Sequence, residues 1–68
     1  MNQELGNILH SIYQFSTGLN KTIFKWYESP KSLEVLAGTD YSGIVKWKGR
    51  KYHVFHDWKT SAIVIENM

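Results

Sequence analysis

The stretch Gly43-Ile-Val-Lys-Trp-Lys-Gly-Arg-Lys-Tyr-His-Val-Phe-His56 constrains the fold more than any other part of this chain. Two apolar-rich runs, 43–48 and 51–56, flank Gly49-Arg50. A two-residue loop with Gly at its first position suits a type II′ turn, because Gly reaches that positive φ without a steric penalty. The loop predicts Lys48 opposite Lys51, Trp47 opposite Tyr52, Lys46 opposite His53 and Val45 opposite Val54. Side chains alternate between the two faces of a strand. Val45, Trp47, Tyr52 and Val54 therefore share an apolar face. Ile44, Lys46, Lys48, Lys51, His53 and Phe55 share the other, basic near the turn and apolar at its far end.

A slip of one residue would put the lysines in the core, so this division is strongly specified. The run Ser61-Ala-Ile-Val-Ile-Glu66 supplies a third strand. With Trp58-Lys59 as a second tight turn, Val54 faces Ile63, Tyr52 faces Ile65, and Glu66 lies beside Lys51. Both isoleucines extend the apolar face.

Residues 3–17 read as an amphipathic helix. Leu5, Ile8, Leu9, Ile12, Phe15 and Leu19 follow the spacing of one apolar stripe. Asn2 is placed to cap it and Gly18 to end it. Gly6 suggests a close backbone approach, and His10 lies off the stripe, on the surface side. Such a short helix needs a packing partner, and the Val45/Trp47/Tyr52/Val54 face supplies one. Residues 22–27 read as a strand, being β-branched and aromatic. Ser29-Pro30 reads as the start of a helix over 30–37. The competing reading of that segment is an extended strand over Ser32–Leu36.

The expected fold class is α+β, one domain over 1–68. An N-terminal amphipathic helix packs on a small antiparallel sheet, a three-stranded meander over 43–66 with a fourth strand from 22–27. Sixty-eight residues without Cys exclude a disulfide framework and thiolate metal sites. No apolar run approaches the ~20 residues that span a bilayer, and no signal-peptide pattern is present. A cytoplasmic protein without a membrane partner is the expectation.

Net charge is +2, and its distribution says more. Five of the eight basic residues, Lys46, Lys48, Arg50, Lys51 and Lys59, fall within 41–60 against the single acid Asp57. With His53, Phe55 and Trp58 they form a basic-aromatic set of the kind that binds nucleic acid. Cations neutralise phosphates, and rings stack bases for ~1–3 kcal/mol each. Lysines on a solvent face also keep a sheet soluble, and the same patch suits an acidic protein surface.

The chain holds three Trp, four Tyr and three Phe, many for so small a core. Exposed aromatics anchor protein interfaces. The second reading is therefore a small protein-binding inhibitor or adaptor, or a homodimer, using Ile44, Phe55, Trp58 and Val64. His53 and His56 point to opposite faces, so no metal or cofactor is expected. The serines sit in cap and turn contexts, and no phosphate loop or paired-carboxylate spacing occurs. No enzymatic role is expected.

Three fragments resemble parts of known families. Val45-Lys-Trp-Lys-Gly49 resembles the central strand of chromodomains. Pro30-Lys-Ser-Leu-Glu34 with Gly49-Arg-Lys-Tyr-His-Val-Phe-His56 resembles the helix and wing of phage excisionases, which implies DNA bending and a phage accessory role. Lys51-Tyr-His-Val-Phe-His56 followed by Ala62-Ile-Val-Ile65 resembles small toxin ribonucleases, which implies a catalytic His53. Each resemblance covers no more than a hairpin's worth of sequence, and the chain is assigned to none of them.

Overall fold

The computed structural model describes residues 3–16 and 21–68. The fold is α+β: among the described residues, one N-terminal helix and six strands in two antiparallel sheets. Helix α1 spans Gln3–Ile12 and buries Leu5, Leu9 and Ile12 completely. It is shorter than the expected 3–17. Beyond Ile12 the chain turns into β1 (Tyr13–Ser16), which pairs with β2 (Lys21–Phe24). The Ile12 carbonyl accepts the Lys25 N–H at 2.7 Å, so a hydrogen bond from beyond β2 replaces a further helical turn. The expected cap Asn2, stop Gly18 and stripe residue Leu19 lie outside the described residues, as does the Phe15 side chain. A Cβ at Gly6 would meet nothing within 4 Å, so the expected close approach is not there.

The strand expected over 22–27 ends at Phe24, and a 3₁₀ turn, Trp26–Glu28, follows. This strand joins β1 and not the meander. The fourth strand of the main sheet is instead β3 (Leu33–Gly38), where a helix over 30–37 was expected. Ser29-Pro30 leads into a turn closed by Leu33 N–H to Pro30 C=O at 3.0 Å. Leu33 and Val35 then pair with Trp47 and Val45 of β4 (Ser42–Trp47). Pairing with β4 overrides the local helix-start signal. The strand at 33–38 also removes the helix that a helix-and-wing unit needs.

Next come β5 (Arg50–Asp57) and β6 (Ala62–Asn67), giving the sheet order β3-β4-β5-β6. The β4–β5 loop is Lys48-Gly49, with φ of +50° and +78°, one residue earlier than expected. Positive φ at both positions is type I′ geometry, whose twist matches the flanking strands. Val45 therefore faces Tyr52 and Trp47 faces Arg50. Each partner slides by two residues, an even number, so every side chain keeps its face.

The same happens at the second hairpin. Its loop is 58–61 and not a two-residue turn, with Ser61 at φ +54°. Asp57 Oδ1 accepts the Lys59 N–H at 2.9 Å, a side-chain turn that lengthens the loop. Val54 now faces Ile65, and Glu66 faces His53 and not Lys51. The core is as the alternation predicts, with α1 over the apolar face: Leu5, Leu9 and Ile12 against Val45, Trp47, Tyr52 and Val54, joined by Phe24 and Leu33.

Candidate nucleic-acid interface

The helix covers one face of the four-stranded sheet and leaves the other to solvent. On that outer face the register sets Lys46 directly opposite Lys51. Glu34 lies across from Lys46 on β3. Further along, His53 is flanked by Ile44 on β4 and Glu66 on β6, and Phe55 by Ser42 and Val64. His53 Nδ1 stands 3.3 Å from Glu66 Oε1, and its ring stacks on Phe55 with centroids 5.1 Å apart. The outer face therefore carries a cation pair at the hairpin end and a ring pair farther along β5. Ile44, Phe55 and Val64 are half-buried there, an apolar strip beside the rings.

Four residues of the expected site lie elsewhere. Lys48 is in the turn, its Nζ 2.9 Å from Glu4 Oε2 and 4.6 Å above the Trp47 ring. It ties the first turn of α1 to the hairpin. Arg50 faces Trp47 and so belongs to the helix side of the sheet, at its open end and exposed. Trp58 and Lys59 sit in the opposite loop, about 23 Å from Lys51 at the rise of a strand. Trp58 is 57% exposed and meets the His56 ring edge-on at 4.2 Å and the Tyr41 ring at 5.6 Å. The set that read as one patch is thus two, one at each end of β5.

Among the described residues Lys46, Arg50, Lys51 and Lys59 make no ion pair, whereas Lys25 and Lys48 each have an acidic partner. The histidines diverge as the alternation predicts. His53 is on the outer face, and His56 is buried, its Nδ1 bonded to the Tyr13 hydroxyl. That pair is 43 residues apart, joined through a strand read as helix from the sequence. Among the described residues no group of three or more His, Asp or Glu is placed to hold a metal ion. No helix among them is long and apolar enough to cross a membrane.

Comparison with protein-family models, with curated proteins and with solved structures finds no match to this chain.

Proposed function

We propose that this chain is a small non-enzymatic binding module that holds a single-stranded nucleic acid against the outer face of β4 and β5. The observation that carries this reading is Lys46 directly opposite Lys51, with neither in an ion pair among the described residues. Like charges across a strand pair destabilise a sheet by about 0.2–1 kcal/mol. A bound phosphate between the two ammonium groups turns that repulsion into attraction. Arg50, next to the turn and on the helix side of the sheet, takes no part. The Phe55 and His53 rings, about 7–13 Å along the strand, offer flat surfaces for bases. Trp47 and Tyr52 are core residues and do not contribute; Trp58 and Lys59 lie beyond this strip.

The test is fluorescence anisotropy of a labelled mixed-sequence single-stranded oligonucleotide, as DNA and as RNA, over a salt series. Two phosphate contacts predict a slope of log affinity against log salt of about −1.4. The Lys46→Glu, Lys51→Glu double variant is expected to lose binding at least tenfold. No binding at the lowest salt, or binding indifferent to that double substitution, overturns the reading.

A further inference from the structure

The two edges of the main sheet are unlike. The β3 edge is guarded in ways that stop strand pairing: Pro30 precedes it, and a bulge between Val35 and Ala37 breaks its register. The β6 edge has no Pro, no Lys and no register break. It presents Ala62-Ile-Val-Ile65, in which the β-branched Ile63, Val64 and Ile65 are only half-buried. No described strand pairs with it.

Its hydrogen-bonding groups are ordered for a partner. Met68 N–H reaches Lys51 C=O at 3.3 Å, and bonded pairs in an antiparallel ladder recur at every second residue. Ala62, Val64 and Glu66 therefore turn their amides towards β5. Ile63, Ile65 and Asn67 turn theirs to the open edge.

We propose that this edge pairs with the same edge of a second copy, antiparallel about a twofold axis at Val64. In that register Val64 faces its counterpart, Ile63 faces Ile65 of the other copy, and Glu66 faces Ala62. The three central positions set apolar against apolar, and no carboxylate meets a carboxylate. Centring the axis on Ile65 would instead set Val64 against Glu66. The axis stands perpendicular to the sheet, so the outer faces of the two copies become one eight-stranded surface. Both Lys46/Lys51 pairs then lie on the same side. The pairing does not depend on nucleic-acid binding.

One strand edge is a small interface, so the dimer dissociates on the order of tens to hundreds of micromolar. The test is sedimentation equilibrium on nuclease-treated protein from about 10 µM to about 1 mM. The Val64 pair is a non-hydrogen-bonded one, where side chains approach most closely. Val64→Lys alone and Val64→Glu alone each set like charges across the axis and are expected to be monomeric. Mixing the two chains is expected to restore a dimer, which also shows that both still fold. A wild-type monomer across the whole range, or a dimer that survives either substitution, overturns the proposal.

Discussion

Trp26 lies over Gly43, and the contact leaves no room for a side chain at that glycine. A Cβ there would stand 2.7 Å from Trp26 Cζ2 and 2.9 Å from the Ala37 carbonyl. Gly38, across the strand pair, would bring a Cβ to 2.7 Å from Trp26 Nε1. The indole thus covers a glycine pair where β3 and β4 meet, donates to the Thr39 carbonyl at 2.7 Å and stacks on Phe24. An aromatic ring over a cross-strand glycine restores packing that the missing side chains would have supplied. Gly43→Ala is expected to cost about 1–3 kcal/mol through overpacking, and Trp26→Ala about 2–3 kcal/mol through lost packing. Urea midpoints at constant m-value check both, and an unchanged midpoint for Gly43→Ala would show that the ring moves aside freely.

Gly49 makes the opposite case. A Cβ there would meet nothing within 4 Å, yet φ is +78°. The cost of Gly49→Ala is therefore conformational alone, about 1–2 kcal/mol. The adjoining Lys48, at φ +50°, occupies the position that Asn favours in this turn. Lys48→Asn relieves backbone strain but gives up the ion pair to Glu4, an exposed contact worth about 0.2–1 kcal/mol. Its net effect on the unfolding free energy is expected to stay within about 1 kcal/mol. Glu4→Gln alone is expected to lower stability slightly at low salt and not in 1 M salt, where screening removes the contact.

These two turns also show why one level of the fold is legible in the sequence and another is not. Alternation of apolar and polar residues depends on parity, and parity survives any register shift of two. Val45, Trp47, Tyr52 and Val54 therefore reach the core despite a misplaced loop. Register itself depends on which residues accept positive φ, and Lys48 and Ser61 do so with no compositional sign. The β3 segment carries a helix-start signal that only pairing with β4 overrides. For the site, the face of Lys46, Lys51, His53 and Phe55 is readable from the hairpin. The capture of Lys48 by Glu4, 44 residues away, depends on where α1 docks.

The Tyr13 hydroxyl and the buried His56 Nδ1 give a second stability test. Tyr13→Phe keeps the ring contact to Phe24 at 5.1 Å but removes the partner of a ring nitrogen in a residue only 7% exposed. An unmet buried polar group costs about 1–3 kcal/mol, so the urea midpoint is expected to fall by a corresponding amount. A midpoint equal to the wild type would mean that water replaces the hydroxyl.

Lys51 separates a cation placed for a ligand from one that serves only the fold. It faces Lys46 on one side, and no acidic partner within ion-pair distance is described. Lys51→Gln removes the repulsion while keeping the first two methylenes of the stem over the sheet. Stability at low salt is therefore expected to rise by about 0.2–1 kcal/mol, and the gain to vanish at 1 M salt. Binding is expected to move the other way. Losing one phosphate contact on a single strand makes the slope of log affinity against log salt shallower by about 0.7. Thermal unfolding and oligonucleotide titration on the same variant measure the two effects independently. A lysine that only solubilises the face would leave the oligonucleotide slope where it was, whatever happened to stability.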